Sequence, residues 1–250
     1  MFDRLKKVFV NQKSNDGRAA LADGSLATLT NSANTLPTDA VSEWAGIQGF
    51  SYTGLPDGSS FSLTGMVGNK PCKLERAVSS RDYIVGEELR ARAEIKVNDK
   101  VSVLIMNRAL KESLEERAYE VYTDTLETEA RPNLMEEMRW LAMYPEAGWK
   151  SLPDAFWSRY AVMADRRDDA MSWVTQDLAE LLMSWPQPAP DAGVPFILML
   201  VRGKAHLRMQ YTPADMPTLE HAMLIFTSAC ESAVAAFSVE NPRLNVEKHR

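Results

Sequence analysis

Residues 88–97 read ELRARAEIKV, and in this stretch apolar and charged side chains alternate without interruption. In a β-strand successive side chains point to opposite faces, so this period of two predicts a strand with one face in the core and one in water. The same residue types also favour helix, but at about 100° per residue the apolar positions would be spread around the whole cylinder. We therefore predict a strand whose buried side chains are Leu89, Ala91, Ala93, Ile95 and Val97.

Further strands are predicted on both sides of this stretch. Residues 48–79 form a β-meander, because Pro and Gly turns at 56–58 and 68–71 separate short apolar segments. Residues 98–100 then turn the chain into residues 101–106, which we predict to form a hairpin with the strand at residues 88–97. A second hairpin joins residues 196–202 to 205–211 through Gly203 and Lys204, a pair that suits a type II′ turn.

Helices are predicted where the apolar period changes to about 3.6 residues. One stripe follows Asn107, and the spacing of Asn133 and Glu136 matches a capping box for a second helix. Residues 156–165 resemble a strand, after which Asp168 or Asp169 can cap a single helix that runs to Trp185. The last helix begins at Pro217, a favoured first helical position. The stripes consist of Leu110, Leu114, Ala118 and Val121, of Leu134, Met138 and Leu141, of Met171, Val174, Leu178, Leu181, Leu182 and Trp185, and of Leu219, Met223, Phe226, Cys230, Val234 and Phe237.

These elements predict an α+β fold, with amphipathic helices packed on one face of an antiparallel sheet and a flexible N-terminal segment before it. Residues 1–43 are expected to hold a short amphipathic start and a flexible linker, because residues 11–40 contain few large aliphatic side chains. The domain occupies residues 44–240, either as one unit or as two sub-modules, 44–135 and 136–240. A tail follows at 241–250.

Composition narrows the class of function. With 28 basic and 34 acidic side chains, the net charge is −6, which argues against a dedicated nucleic-acid partner. Cys72 and Cys230 form no C-x-x-C pair, which fits a reducing compartment, and no secretory leader or membrane span is recognised. We expect a cytoplasmic protein, bacterial in style. No motif for catalytic residues, metal or cofactor is found, so none is predicted.

The first ten residues offer one candidate docking surface. Phe2, Leu5 and Phe9 share one side of a possible helix, and three basic side chains lie between them. Such a segment would adsorb weakly to an anionic membrane or dock on a protein. A disordered start is the alternative.

Two further stretches are candidates for binding a protein partner. Aromatic residues crowd residues 140–160, and aromatic anchors dominate binding hot spots as well as cores. We expect Trp149 to lie in a loop outside the core, and Trp140 and Tyr144 are further candidates for partner binding. Residues 112–137 carry nine acids and two bases, so Glu116 and Glu120 could meet a basic partner or simply form a solvated helix face.

His206 is the candidate for acid–base chemistry. On the predicted strand it is in phase with Arg208, so both side chains fall on the polar side of the hairpin. An enzyme of unrecognised type would need these two groups and an acid to converge in a pocket. A solvent-facing strand histidine is the alternative.

A family resemblance accompanies these patterns at residues 156–182. This stretch, followed by a short hairpin and a C-terminal helix, is similar to the C-terminal part of an uncharacterised bacterial family of domains of unknown function. The resemblance implies no catalytic motif. It is carried by Phe156, Tyr160, Val162, Asp165, Ala170, Thr175, Leu178 and Leu182.

The sequence therefore leads us to expect a non-enzymatic, cytosolic protein-interaction domain with an adaptor or assembly role. Two alternatives remain open at this point. One is an enzyme with a pocket centred on His206 and Arg208, and the other is a membrane-surface regulator that docks through residues 1–10.

Overall fold

A computed structural model describes residues 38–125 and 135–238 of the chain. Its strands are β1 (Ser51–Gly54), β2 (Phe61–Val67), β3 (Lys70–Val78), β4 (Glu87–Ala93), β5 (Ser102–Asn107), β6 (Glu146–Ala147), β7 (Tyr160–Ala164), β8 (Phe196–Val201) and β9 (Lys204–Gln210). Its helices are α1 (Thr38–Ile47), α2 (Arg108–Thr125), α3 (Glu136–Met143), α4 (Asp154–Arg159), α5 (Arg167–Trp173), α6 (Gln176–Met183) and α7 (Met216–Phe237). The candidate docking residues Phe2, Leu5 and Phe9, the cap at Asn133 and the tail 241–250 lie outside the described residues.

The described strands form one antiparallel sheet in the order β1-β2-β3-β4-β9-β8-β5-β7-β6. The α+β class, the antiparallel sheet and the meander at residues 48–79 are thus confirmed. At the centre of this sheet, β9 and β8 from residues 136–240 lie between β4 and β5 from residues 44–135. The two segments considered as sub-modules therefore share one sheet and do not form separate ones.

The strand predicted at residues 88–97 is confirmed as β4, although β4 ends at Ala93. Leu89, Ala91 and Ala93 are buried on one face, as the alternation predicts, and Ile95 and Val97 remain buried beyond the end of the strand. Its predicted hairpin with residues 101–106 is wrong, since β8 and β9 lie between β4 and β5. The physical reason is that residues 103–106 are buried on both faces, which suits a strand in the covered centre of the sheet.

The β8–β9 hairpin is confirmed, but its turn is one residue earlier than predicted. Arg202 and Gly203 form the turn, with φ angles of 54° and 70°. Two positive φ angles indicate a type I′ turn in place of the predicted type II′. A Cβ atom on Gly203 would lie 2.9 Å from the carbonyl oxygen of Val97, so the position also requires glycine for space.

Helices cover both faces of the sheet. The main core packs Val103 and Ile105 of β5 with Trp173, Leu178 and Phe226 from α5, α6 and α7. A smaller core lies on the opposite face, where Leu104 and Met106 of β5 meet residues of α2 and α3, namely Leu110, Leu114 and Met138. The predicted one-sided layer is therefore present on the main face, and the structure adds a second layer on the other face.

The single helix predicted up to Trp185 is two helices, α5 and α6. The Thr175 hydroxyl oxygen accepts a hydrogen bond from the Leu178 amide at 3.2 Å and so starts a new helix. Just before this break, the Trp173 indole N–H donates to the Ala229 carbonyl at 2.8 Å. Asp168 and Asp169 lie in the first turn of α5 and do not cap it.

The remaining helices differ from the sequence patterns in smaller ways. Residue 156 belongs to α4, so the predicted strand run shortens to β7. The stripes of α2 and α7 are confirmed where they are described, and Asp215 caps α7 by accepting from the Thr218 amide at 2.9 Å. In the part of the chain that the structure describes, a bilayer-spanning helix is not found.

Candidate functional site

A cleft of about 370 Å³ opens on the face of the smaller core, beside α3. Its floor comes from β8 and β9, and its walls come from α3, β4 and the loop at residues 79–86. The lining is rich in cations, namely Arg81, Arg92, Arg202, Lys204 and Arg208. Glu136, Glu137, Trp140, Met199, Val201 and His206 complete it.

Strand periodicity places the polar groups in this cleft. Lys204, His206 and Arg208 alternate along β9 with three residues of the main core, so they share the opposite face. On the neighbouring strand, Arg92 stands directly opposite His206. Positive side chains therefore gather across the β4–β9 pair.

A buried ionic network joins α3 to the sheet. The Glu137 side chain is only 1% exposed. Its Oε1 accepts hydrogen bonds from the Tyr83 hydroxyl at 3.0 Å and from Arg208 Nη1 at 3.1 Å, and Arg81 Nε lies 2.8 Å away. Burial and the Glu137 charge raise the pKa of the Tyr83 hydroxyl, so this group remains a proton donor.

Arg208 links this network to a second buried carboxylate. Its Nε lies 2.8 Å from Glu88 Oε1, and the Ser79 hydroxyl donates to Glu88 Oε2 at 2.9 Å. The alternation in β4 predicts Glu88 on the wet face, but the residue is 1% exposed. The prediction is wrong at this position because α3 and the loop at residues 79–86 cover that end of the strand.

Two carboxylate oxygens of the network have no hydrogen-bond partner among the described residues, Glu88 Oε1, which lies 2.8 Å from Arg208 Nε, and Glu137 Oε2. Glu137 Oε2 is buried and has no hydrogen-bond partner among the described residues. A buried polar atom of this kind calls for a water, an ion or a ligand donor. Because Glu137 lines the cleft, the donor can come from a bound molecule.

The other end of the cleft is basic. Arg92 Nη2 and Lys204 Nζ lie 2.7 and 3.2 Å from the same oxygen of Glu94, whose side chain is 47% exposed. Hydrogen bonds from Lys204 and Arg92 hold the pKa of the Glu94 carboxyl below its usual value. Arg202 adds a third, exposed cation beside this pair. Arg92 and Lys204 thus both pair with the carboxylate of Glu94 at this end.

His206 lies between the two ends as a neutral imidazole. Burial, together with the nearby charges of Arg92, Lys204 and Arg208, lowers its pKa to about 4. In residues 38–125 and 135–238 we find no hydrogen bond to its ring. The ring nitrogens are therefore available to a ligand, one as a donor and one as an acceptor.

The convergence of His206, Arg208 and an acid in a pocket, expected for the alternative function, is present. The aromatic candidates for partner binding lie on opposite faces of the sheet. Trp140 and Tyr144 pack against the smaller core, and Trp140 forms a wall of the cleft. Trp149 belongs to the main core on the opposite face of the sheet.

The expectation that Trp149 lies outside the core is wrong. The residue does lie in a loop, but it is 8% exposed and packs edge-on against Trp157, with the ring centroids 4.9 Å apart. An open groove that it lines with Arg108 and Glu146 shows only a small part of the ring. A flat aromatic anchor for a partner is thus not presented at Trp149.

The acidic candidates lie on α2. Glu116 and Glu120 are exposed, as a solvated helix face requires. Glu137, from the same acidic stretch, is buried in the cleft, which a solvated face does not explain. Across the described residues, three acid, histidine or cysteine side chains do not cluster in a way that could hold a metal ion.

Sequence reasoning missed Arg81, Arg92, Lys204 and Glu137 as members of the site. For Glu137 a usable pattern existed, because residue 137 falls on the same helical stripe as the apolar positions 134, 138 and 141. A charge on a core stripe indicates a buried ion pair. Arg92 and Lys204 gave no such sign, since their approach depends on the β4–β9 register.

No known protein family, curated protein or solved structure matches the chain. The resemblance of residues 156–182 to a family of domains of unknown function therefore stays a prediction.

Proposed function

We propose that the chain is a non-catalytic binding domain that captures a small organic anion in the cleft beside α3. The observation that carries this proposal is the gathering of Arg92, Arg202 and Lys204 around a histidine without a hydrogen-bond partner among the described residues. Cationic side chains recognise carboxylates and phosphates through short, charge-assisted hydrogen bonds. The volume of about 370 Å³ lies within the range of about 300–1,000 Å³ that is usual for small-molecule sites.

The ligand is expected to have an apolar part. Trp140, Met199 and Val201 contribute side chains to the same cleft. Their burial by a ligand adds a hydrophobic contribution of about 25 cal/mol per Å² to that of the charged groups. An anion with a short aliphatic or aromatic body therefore suits the lining better than a bare inorganic ion.

Binding is favoured over acid–base catalysis by the state of His206. A general base works best when its pKa is near the working pH, and a pKa of about 4 makes this imidazole a weak base. As a neutral group it can still orient a ligand through a hydrogen bond. The enzyme centred on His206 and Arg208 is thus a weaker proposal than the binding domain.

The other sequence-based hypotheses remain predictions. If the chain binds a protein partner, the exposed acidic face of α2, with Glu116 and Glu120, is the surface that would contact it. The membrane-surface role depends on residues 1–10, outside the described part of the chain. A cytoplasmic location belongs to the same proposal, and the buried free thiols of Cys72 and Cys230 agree with it.

The proposal is tested with three ligands that share a six-carbon chain and differ in their head group. Hexanoate, hexyl phosphate and neutral hexanamide are titrated into the protein, and the indole N–H signal of Trp140 is followed by NMR. Both anions should shift this signal with saturation, and hexanamide should not. Equal shifts with the neutral amide would contradict anion capture.

Two matched double variants identify the cations that act. Arg92 and Lys204 hold Glu94 at the basic end of the cleft, just as Arg108 and Lys111 hold Glu146 on β6 at the far edge of the sheet. Changing Arg92 and Lys204 to Gln should raise Kd for hexanoate at least about tenfold, because each charge-assisted hydrogen bond contributes about 1.5–3 kcal/mol. Changing Arg108 and Lys111 to Gln should leave Kd within about twofold, because both lie away from the cleft and their charge is screened by salt. Equal losses in both variants would mean that only overall charge matters.

A further inference from the structure

Charge is distributed unevenly along the cleft. Lys204, His206 and Arg208 occupy alternate positions of β9, so neighbouring members lie about 7 Å apart along the strand. The Arg208 guanidinium is held by Glu88 and Glu137. At the Lys204 end, Arg92 and Arg202 add positive charge.

The balance of charges differs in sign between the two ends. Around Arg208, the carboxylates of Glu88, Glu136 and Glu137 face the guanidinium groups of Arg81 and Arg208, and Arg90 opposite Arg208 is neutralised by Glu75, which leaves an excess of negative charge. Around Lys204, three cations face the single carboxylate of Glu94. The cleft therefore has a negative end and a positive end.

An unpartnered atom at the negative end indicates what binds there. Glu137 Oε2 is buried and accepts no hydrogen bond from any described residue, although its partner oxygen has three donors nearby. A second anion would be repelled at this point, whereas an ammonium or N–H group would supply the missing donor.

We propose that the ligand of the cleft is zwitterionic, with its acidic group at Arg92 and Lys204 and an amino group at Glu136 and Glu137. This inference rests on the proposed function and names the ligand class of the same site. The two charged groups are separated by roughly 7–14 Å, the distance along the strands to Arg208, which pairs with Glu137, from Arg92, which stands opposite His206, or from Lys204. The neutral ring of His206 and the side chains of Trp140 and Met199 lie along the uncharged middle of the ligand.

The test compares ligands that share a six-carbon body. 6-Aminohexanoate carries both groups about 8 Å apart, a spacing within the strand-derived range, while hexanoate and hexylamine each carry one. With the Trp140 indole signal as the readout, 6-aminohexanoate should have a Kd at least about tenfold below that of hexanoate. Glycine, whose charges are too close to reach both ends, should bind no more tightly than acetate.

A variant at the negative end checks that the amino group is recognised there. Glu136 is used because its side chain is 45% exposed, whereas loss of the buried Glu137 carboxylate can unfold the protein. Glu136→Gln should reduce the advantage of 6-aminohexanoate over hexanoate at least threefold and leave hexanoate bound at least as tightly. Glu116→Gln, which changes an exposed acid on α2, should leave the advantage unchanged.

The possible results separate this inference from the proposed function. If hexanoate and 6-aminohexanoate bind equally, the zwitterionic ligand is refuted and anion capture stands. If the Glu116 variant reduces the advantage as much as the Glu136 variant, recognition at the negative end is also refuted. If none of the ligands shifts the Trp140 signal, anion capture itself fails and the inference fails with it.

Discussion

Arg208 is the residue through which the sheet and α3 share their charges. Its guanidinium contacts two carboxylates that are each 1% exposed, Glu88 from β4 and Glu137 from α3. A buried charge is tolerated when its partners are close, and removal of one partner commonly costs about 3–5 kcal/mol. These contacts fix the position of α3 beside the cleft, so the ionic network shapes the site as well as lining it.

Acid should destabilise the protein partly through His206. The folded-state pKa of about 4 is below the value of about 6.5 expected in the unfolded chain. Between these values the unfolded state binds the proton and the folded state does not, so stability is retained above pH 6.5 and lost as the pH falls towards 4. The loss due to this residue should reach about 3 kcal/mol, measured by urea unfolding at pH 7 and pH 4.

The control for this prediction is His206→Gln, which removes the titrating group. The variant should lose less stability than the unmodified chain over the same pH interval. An imidazole NMR signal of His206 that titrates near pH 6.5 would contradict the assigned burial and neighbours.

Single residues show where sequence reasoning succeeds. Leu89, Ala91 and Ala93 were assigned correctly because alternation is a local property of the strand. Glu88 is predicted on the wet face, and Glu137 belongs to a stretch predicted to be a solvated face or a surface for a basic partner, because their charge is visible in the sequence and their buried partners are not. Arg208 and Glu137 are separated by 71 positions in the chain, and a contact at that distance is set by the tertiary fold.

The break between α5 and α6 shows how one hydroxyl group ends a helical pattern. The apolar stripe continues through residues 171–185, so periodicity alone favours one helix. At Thr175 the backbone is extended, with φ −69° and ψ 165°, and the side chain caps the next helix. Because of this break, the two helices pack on the main core separately, α5 through Trp173 and α6 through Leu178.

Loss of this cap should weaken α6. Thr175→Ala removes the acceptor for the Leu178 amide, and we expect the free energy of unfolding to fall by about 1 kcal/mol. Thr175→Ser keeps the hydroxyl oxygen and should lose clearly less. Urea unfolding of the two variants and the unmodified chain provides the measurement, and equal losses in both would argue against the cap.

The pairing of strands is the part of the fold that the sequence patterns predict wrongly. Residues 98–100 do carry turn-forming residues, so a hairpin between β4 and the following segment was a reasonable prediction. The chain instead crosses β9 and β8 to reach the position of β5. Local turn chemistry describes how the chain reverses, but the choice of neighbour depends on which strand has two apolar faces to bury, and β5 does.

At the scale of the whole molecule, two cores share one sheet. The main core and the smaller core meet opposite faces of β5, β7 and β8. Because the same strands supply side chains to both, loss of either helical layer exposes apolar surface on the common sheet. The site lies at the border of the smaller layer, so its integrity depends on both.

We therefore expect the described domain to unfold in a single cooperative transition. Leu114→Ala in the smaller core and Leu219→Ala in the main core should each lower the free energy of unfolding by about 2–5 kcal/mol. Tryptophan fluorescence and far-UV circular dichroism should give coincident urea curves for each variant. A curve with two steps, one affected by each substitution, would show that the cores unfold separately.

The central position of the last hairpin also sets the order of events during synthesis. β4 ends at residue 93, and its neighbour β9 is complete only at residue 210. At a translation rate of about 5–20 residues per second, the ribosome needs roughly 6–23 s to make the intervening segment. During that interval the nascent chain carries the unpaired edge of β4 and, once β5 is made, the edge of β5 that will pair with β8, so chaperone occupancy is expected to be highest just before β8 and β9 emerge.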